Sequence, residues 1–492
     1  MTGFIGRQAE LALLGKRLAH VTASGEGRAV ALRGRWQAGK SRLVQEVCDR
    51  SGVPYLYVTA VKGASPAQAV DDFLRELRSS SLPDKPELVP AHGGGDWGEA
   101  LRALAAALPS RPSIVVLDEL PWLSEQDKSF DGALQTAWDR LLSRRPVLLL
   151  LLGSDLHMME RLTAYDRPFF GRADNLVLGP LNPAEVGGAL GLDDADALDA
   201  HLVTGGLPGI VRAWPHGTPA PGFLHAECAD PASPVFSVPE SSLASEFPAP
   251  DQSRRVLEAV GSGDRTHANI AASAGGHDSP LPSGALSPIL RRLTHDKRVL
   301  TMTEPLSVKP GKPALYHVAD SNLRLYLAMT RAAQEQARRG REDAARRLVE
   351  RRWSSWRGRA VEPLIRESLL LAALDGKLPD DTYGDVEAVG GWWNRRFDPE
   401  LDLVGADRAP VARRIAFVGS VKWHDTPATR AHAEELAAAA PQVPGFQPGR
   451  TGLVLATRQG TAGDVSASGV SLVWQPHDVV GAWRDSRTRM GA

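Results

Sequence analysis

The chain has 492 residues, of which 43% are hydrophobic and 23% are charged, and its formal net charge is -1. This composition is ordinary for globular domains, and the length predicts about three of them at about 150 residues each. A net charge near zero excludes a general electrostatic attraction to nucleic acid or membrane, so any such partner requires a local charged patch.

Cys48 and Cys228 are the two cysteines of the sequence. Two cysteines cannot form a disulfide framework or a zinc site, and their scarcity is typical of a reducing compartment. The first residues lack the pattern of a signal peptide. The longest apolar run, 147–152, is much shorter than the roughly 20 residues that cross a membrane. We therefore expect a cytoplasmic protein with no membrane partner.

Strands alternate with helices between residues 27 and 178. Short apolar runs predict the strands, and apolar residues at helical spacing predict the helices. Such alternation favours an α/β fold, with a parallel sheet covered by helices on both faces. The predicted strands are 29–33, 55–59, 114–117 and 147–152, and the predicted helices are 67–79, 97–108 and 132–142.

A glycine-rich motif joins the first predicted strand to a helix. Residues 34–41 read GRWQAGKS and fit the pattern G-x-x-x-x-G-K-[ST] at every fixed position. Gly34 and Gly39 let backbone N–H groups curl around phosphates. Lys40 would reach the β- and γ-phosphates, and Ser41 would give its hydroxyl to Mg²⁺. The motif predicts binding of ATP and Mg²⁺, and a glycine-rich turn before a helix is the structural alternative.

Two acidic residues follow the third predicted strand. Asp118 and Glu119 come after four apolar residues, at the edge of an open α/β sheet where ligands bind. Asp118 would hold the Mg²⁺ through water, and Glu119 would polarise the attacking water as a general base. The structural alternative is a solvated acidic turn.

The middle of the chain predicts a change of architecture. Residues 182–214 are helical in pattern, and the prolines of 215–250 predict an irregular connection with a short helix at most. Beyond it we predict helices at 254–260, 266–273 and 287–297, then strands at 299–303 and 314–318. Three helices followed by a hairpin form the winged-helix plan, a relative of helix-turn-helix.

Basic residues mark two segments of this second half. Arg291, Arg292 and Lys297 lie on the third predicted helix, where they would face a DNA major groove. A winged helix that only packs against protein is the alternative. Arginines also crowd residues 338–359. That stretch is either a footprint for phosphate backbone or a solvated connector helix.

Several N-terminal segments resemble archaeal-type ATPases of the AAA+/STAND group, and more closely those with a DUF234-like C-terminal region. The segment FIGR at 4–7 resembles the family's box near the adenine, which implies that Arg7 binds nucleotide. Ser154, after LG, resembles the sensor residue that reads the γ-phosphate or the water. Arg172, in FGR, resembles an arginine finger acting in its own chain or on a neighbouring copy in a homo-oligomer. The segment GGLP at 205–208 resembles part of the helical lid.

The same resemblance implies a restriction-endonuclease-like domain of the PD-(D/E)xK type at the C-terminus. Glu400 and Asp402 share one face of a predicted strand, Glu362 lies in a predicted helix, and Lys422 lies in GSVKW, which resembles the family's G-E-x-K-W strand end. Ser420 stands where the family has an acid, and a hydroxyl is a poor replacement for a metal-binding carboxylate. We therefore expect a degenerate nuclease-like site, with an ordinary αβ domain as the alternative.

Together these patterns predict an ATPase that uses ATP hydrolysis to drive a conformational switch acting on DNA. The alternative is a nucleotide-gated signalling or protein-interaction module with slow hydrolysis and no DNA cleavage. The predicted segments are an ATPase core at 1–180, a helical lid and linker at 181–250, a winged helix at 251–335, a basic connector helix at 336–360 and a nuclease-like domain at 361–492.

Overall fold

The computed structural model describes residues 3–162, 164–165, 167, 169–247, 251–275, 279–311, 313–379 and 383–486. The chain divides into two compact units, one that ends at Pro180 and one that begins at Leu181. Within these ranges, none of the helices combines the length and the apolar character needed to cross a membrane.

The unit that ends at Pro180 is a parallel sheet covered by helices, as the sequence predicts. Its strands are β1 (Arg28–Arg33), β2 (Tyr55–Thr59), β3 (Ser113–Asp118), β4 (Val147–Gly153) and β5 (Ala173–Val177). Its helices are α1 (Gln8–Ser24), α2 (Lys40–Ser51), α3 (Pro66–Ser79), α4 (Trp97–Ala107), α5 (Leu120–Gln126), α6 (Phe130–Arg140) and α7 (Leu156–Leu162).

The strand order β2-β3-β4-β1-β5 places β3, β4 and β1 at the centre, and all neighbours are parallel. Alternate residues of the central strands enter two separate cores. Val115 and Leu149 pack into one core, and Ile114 and Leu148 pack into the other. This arrangement buries both faces and brings the carboxyl ends of β1, β3 and β4 to one edge, where a ligand site is expected.

The unit that begins at Leu181 opens with helices, and one prediction about them is wrong. The helices are α8 (Pro183–Leu190), α9 (Asp194–Thr204), α10 (Pro208–Ala213), α11 (Ala220–Glu227) and α12 (Pro234–Glu246). The stretch predicted to be irregular therefore contains two full helices. Pro221 and Pro234 lie in the first turns of α11 and α12, where a missing N–H costs nothing. Pro248 and Pro250 lie outside the described residues.

Three helices and a two-stranded antiparallel sheet follow in the predicted order. They are α13 (Gln252–Gly261), α14 (His267–Ala274), α15 (Ser283–Arg291), β6 (Leu300–Thr303) and β7 (Leu315–Val318). A π-helical turn, Arg292–Asp296, continues α15. One hydrophobic core is shared by the three helices and the sheet, so these elements pack together.

The predicted basic connector helix is interrupted. The helices here are α16 (Ser321–Leu325), α17 (Arg331–Arg338), α18 (Glu342–Ala360) and α19 (Glu362–Leu374). Gly340 has φ 70° and lies between α17 and α18. This left-handed conformation suits glycine and ends helices, so most of the arginine-rich segment belongs to α18.

The last elements form a mixed sheet. They are β8 (Ala388–Trp393), β9 (Glu400–Ala406), β10 (Ile415–Lys422), α20 (Arg430–Ala439), β11 (Gly452–Thr457), β12 (Val470–Trp474) and α21 (Pro476–Arg484). The order is β12-β11-β10-β9-β8, with β10, β11 and β12 parallel and the other pairs antiparallel. Helices α19 and α21 share a core with one face of this sheet.

A buried ion-pair network joins α9 to α18. Arg357 Nη1 lies 3.2 Å from Asp199 Oδ2, and Arg458 Nη2 lies 3.1 Å from the same oxygen. The side chains of Arg357 and Asp199 are 3% and 1% exposed. Because water scarcely reaches these charges, each depends on its partners for compensation.

Candidate functional site

The glycine-rich loop lies between β1 and α2, and both fixed glycines have a structural reason. A Cβ on Gly34 would lie 2.5 Å from the carbonyl oxygen of Leu178, so a side chain there would collide with backbone. Gly39 has φ 90°, a left-handed conformation that favours glycine. The loop therefore turns directly into the N-terminus of α2, which attracts anions.

Lys40 is buried and extends across this loop. Its Nζ donates to the carbonyl oxygens of Gly34 at 2.7 Å and Arg35 at 3.3 Å, and it lies 3.4 Å from Ser154 Oγ. Burial lowers the pKa of Lys40, while the charges of nearby carboxylates oppose that shift. The ammonium group is thus held inside the loop that would surround phosphates.

Ser41 and Asp118 meet at the edge of the sheet. Ser41 Oγ donates to Asp118 Oδ2 at 2.6 Å, and the hydroxyl of Tyr57 donates to the same oxygen at 2.7 Å. A hydroxyl and a carboxylate side by side are oxygen ligands of the kind that Mg²⁺ prefers, so these residues fit the predicted metal.

Tyr57 is a site residue that the sequence prediction missed. It lies on β2, paired with Val116 of the neighbouring strand. Burial, followed by the charge of Asp118, raises the pKa of Tyr57, so the phenol stays a hydrogen-bond donor. Tyr57 is the middle residue of β2, and its hydroxyl within a predicted strand was a signal that could have identified it.

Glu119 immediately precedes α5 and has a strained backbone conformation. Its φ is 55°, and its carboxylate accepts a short hydrogen bond from Ser154 Oγ. Non-glycine residues in left-handed conformations cluster at active sites, where the surrounding structure enforces them. Ser154 therefore connects Glu119 to Lys40, and β3 and β4 bring the predicted base, sensor and phosphate-binding lysine together.

Comparisons with known proteins agree with this geometry. Residues 3–152 match the family model of the AAA ATPase domain. Residues 326–436 match DUF234, described as archaea bacterial proteins of unknown function. The chain carries an AAA ATPase domain and a DUF234 region. ATP hydrolysis is accordingly the enzyme activity of this chain. The comparison with curated proteins found no match to the chain.

Solved structures of low identity resemble the chain. A Walker-type ATPase of Pyrococcus abyssi is 18% identical with a TM-score of 0.46, over 66% of this chain and 96% of that one. The Aeropyrum pernix ORC2 protein is 14% identical with a TM-score of 0.43, over 70% and 98%. The ORC1 protein of the same organism, in complex with DNA, is 17% identical with a TM-score of 0.35, over 71% and 96%.

Two further predicted residues of the ATPase domain have protein partners. Arg7 is buried, and its Nη2 donates to the carbonyl oxygens of Ala38 at 3.0 Å and Gly179 at 2.6 Å. Ala38 belongs to the glycine-rich loop, so Arg7 supports that loop from behind. Arg172 donates to both carboxylate oxygens of Asp139, at 2.7 and 2.9 Å. This pairing lowers the pKa of Asp139 and raises that of Arg172.

The three basic residues predicted to contact DNA lie at the end of α15. Arg291 and Arg292 are exposed, and Lys297, which follows the π-helical turn, is half-buried. Leu293 lies between them and is buried in the core of the three helices. The core side of this segment is therefore fixed, while the two arginines face solvent.

The acids of the DUF234 region lie close together, but their oxygens are engaged. Glu400 binds Arg265 through both oxygens at 3.0 and 3.2 Å, and Glu362 binds Arg366 at 2.9 Å. Burial raises the pKa of Glu362 to about 7.

Asp402 and the two remaining residues of this predicted site lie on paired strands. Asp402 accepts hydrogen bonds from the N–H of Val421 at 2.7 Å and from Ser420 Oγ at 3.2 Å. Lys422 Nζ binds Glu435 at 3.0 Å. Within the described residues, no group of three or more His, Cys, Asp or Glu side chains is arranged to hold a metal ion.

Proposed function

We propose that this chain binds ATP with Mg²⁺ and uses hydrolysis to drive a conformational switch that acts on DNA. One observation carries the proposal: the hydrogen bonds that join five residues at the carboxyl ends of β3 and β4 and the start of α2. These residues are Lys40, Ser41, Asp118, Glu119 and Ser154, and Asp118 is joined to Glu119 through the backbone N–H of Glu119.

Each of these residues has a role that follows from its position. Lys40 would bind the β- and γ-phosphates, and Ser41 with Asp118 would hold the Mg²⁺. Bound Mg²⁺ supplies positive charge that stabilises the transferring phosphoryl group. Glu119 would orient and deprotonate the attacking water, and Ser154 would hold its carboxylate in place.

Arg172 is proposed as an arginine finger that acts only after a rearrangement. Its guanidinium is bound by Asp139 through two hydrogen bonds. A finger must reach the developing charge on the phosphoryl group, so Arg172 has to leave Asp139 first. That exchange would occur within the chain or against a neighbouring copy in a homo-oligomer.

The DNA contact is proposed for the winged helix, residues 251–335. Three helices and a two-stranded sheet support this assignment, and Arg291 and Arg292 are exposed at the end of the third helix. Basic side chains on such a helix bind phosphates and base edges in the major groove. The other proposed segments are the ATPase core 1–180, the lid and linker 181–250, the connector 336–360 and the nuclease-like domain 361–492.

ATP turnover tests the proposal directly. The full chain is assayed with Mg²⁺ alone, with duplex DNA and with single-stranded DNA. Because a switch that acts on DNA couples the two ligands, duplex DNA should change the turnover rate. An identical rate in all three arms, together with no salt-dependent DNA binding, would contradict the DNA part and leave the ATPase assignment intact.

A nucleotide-gated signalling or protein-interaction module is the second candidate. The pairing of Arg172 with Asp139 favours it, because an ATPase whose finger is engaged elsewhere hydrolyses slowly. Slow turnover, no DNA binding and a protein partner whose affinity depends on ATP would support this second function.

A further inference from the structure

A strongly basic cavity lies in the unit that begins at Leu181. It is bounded by the end of α13, by β7, by α16 and by α18, and its volume is about 490 Å³. Sites for small molecules usually span about 300–1,000 Å³. The lining side chains that carry the argument are Arg265, Arg324, Arg351, Arg352, Arg359 and Trp356.

The positive charge of this cavity is poorly compensated. Arg265 has a carboxylate partner, Glu400. Arg351 and Arg352 donate instead to backbone carbonyl oxygens, at 3.2 and 2.9 Å, and Arg324 does so at 3.3 Å. No aspartate or glutamate lines the cavity within the described part of the chain. An anion would therefore relieve repulsion between these guanidinium groups.

The pKa shifts of two residues that line the cavity agree with its excess of positive charge. Burial lowers the pKa of Arg324; Glu362 opposes the shift, and the charges of neighbouring arginines add to it. Burial, followed by the same cluster of arginines, lowers the pKa of His317 to about 3. His317 therefore stays neutral at physiological pH and adds no further charge.

An aromatic side chain completes the lining. Trp356 is half-buried, and its Nε1 has no hydrogen-bond partner among the described residues. Tyr316 also lines the cavity. Aromatic rings stack on nucleobases, and guanidinium groups bind phosphate through paired hydrogen bonds.

We propose that this cavity binds an organic polyphosphate of nucleotide size, with the arginines on the phosphates and Trp356 beside the base. It is separate from the glycine-rich loop and from the end of α15. The inference does not rest on the proposed function, because it uses neither the hydrolysis site nor Arg291, Arg292 and Lys297. Three of its arginines do belong to the segment 338–359, for which the sequence also offers a footprint for phosphate backbone.

Calorimetric titration of the full chain tests this site. The background variant is Lys40→Ala, which removes the lysine of the glycine-rich loop. The probes are inorganic tripolyphosphate and ADP. We expect both to bind, and we expect Arg351→Ala with Arg359→Ala to weaken both by about tenfold or more, because each lost charge-assisted contact is worth about that factor.

The matched control is Arg339→Ala with Arg347→Ala, which removes the same charge at exposed positions outside the cavity. It should leave both affinities unchanged. Trp356→Leu should weaken ADP but spare tripolyphosphate. Circular dichroism and melting temperature compare the folding of all variants.

Three results would overturn the proposal. The first is no binding of either probe to Lys40→Ala. The second is an equal loss of affinity in the cavity variant and the matched control. The third comes from a further arm with duplex DNA. If the cavity variant loses DNA binding while tripolyphosphate and ADP never bind, the arginines belong to a nucleic-acid surface and not to a nucleotide-sized site.

Discussion

Glu119 occupies a backbone conformation that few residues other than glycine adopt, and its carboxylate is held by Ser154. Strain of this kind costs on the order of 1–3 kcal/mol and persists where the surroundings enforce it. The conformation directs the side chain toward Lys40 and Ser154 at the carboxyl edge of the sheet. This residue therefore gives the sharpest test of the hydrolytic mechanism.

Glu119→Gln should reduce ATP turnover by about 10²-fold or more while ATP binding persists, because the amide cannot accept the proton of the attacking water. Glu125→Gln, at an exposed position on the helix that follows Glu119, is the control and should leave turnover unchanged. Steady-state hydrolysis and equilibrium nucleotide binding provide the two readouts. Turnover like that of the wild type in Glu119→Gln would mean that another residue is the base.

Tyr57→Phe should lower the free energy of unfolding of the ATPase domain by about 1–3 kcal/mol, since it removes a hydrogen bond to a buried carboxylate. Tyr55→Phe is the matched control on the same strand, where the hydroxyl accepts a hydrogen bond from Gln45 Nε2 at 3.3 Å. Urea unfolding of both variants measures the difference. Equal losses of unfolding free energy would show that the hydrogen bond to Asp118 stabilises the fold no more than the one between Tyr55 and Gln45.

The sequence predicts the residues of the glycine-rich loop because their spacing is dictated by phosphate binding. It does not predict Tyr57 or Asp139, because their partners are distant along the chain and become neighbours only in the fold. Arg7 is an intermediate case. Its segment resembles a nucleotide-binding box, yet the structure places its guanidinium on the backbone behind the loop.

At the scale of elements, the end of α15 carries the proposed contact with DNA. Replacing Arg291, Arg292 and Lys297 with Ala should weaken duplex binding and reduce the slope of log K against log salt by roughly 0.9 for each lost phosphate contact. The control replaces Arg395, Arg396 and Arg413, which are exposed and lie outside this element. A slope that falls equally in both triple variants would place the DNA surface elsewhere.

The stability of the protein should depend on pH because His201 is buried in α9. Burial lowers the pKa of His201 to about 4, and its Nε2 donates to the carbonyl oxygen of Leu181 at 3.0 Å. Below the unfolded pKa of about 6.5, the unfolded chain binds a proton that the folded chain refuses. Stability from this group is therefore present above pH 6.5 and is lost as the pH falls toward 4.

His201→Gln should remove this component, which is up to about 3 kcal/mol for a shift of this size. The readout is the difference in unfolding free energy between wild type and variant from pH 7.5 to pH 4.5. His216→Gln, at an exposed position, is the control. If the pH profile of His201→Gln runs parallel to that of the wild type, the buried imidazole does not control acid stability.

Elements with strong apolar patterns were predictable, and those without them were not. The four predicted strands of the parallel sheet are confirmed within one residue at each end. β5 was missed because its sequence, ADNLV, has no apolar run and places two consecutive exposed polar residues at the edge of the sheet. The helices α11 and α12 were missed because prolines mark helix starts as well as loops.

At the scale of the whole molecule, the DUF234 region should not cut DNA. Glu400 is engaged by Arg265, Lys422 by Glu435, and Ser420 supplies no carboxylate. A plasmid assay with Mg²⁺ or Mn²⁺ should show no cleavage by the wild type. Robust cleavage that Asp402→Ala abolishes would contradict this expectation, while cleavage seen only in Ser420→Glu would support a decayed site.

The buried network of Asp199, Arg357 and Arg458 limits how this protein can be recombined. Asp199 lies in a helix near the start of its unit, whereas the two arginines lie more than 150 residues later. A chimera that exchanged only the later segment for that of a relative would leave a buried charge without its partner. This would lower the free energy of unfolding by about 3–5 kcal/mol. Substitutions at Arg357 or Arg458 therefore require a compensating substitution at Asp199 in α9, so the two segments must change together in evolution.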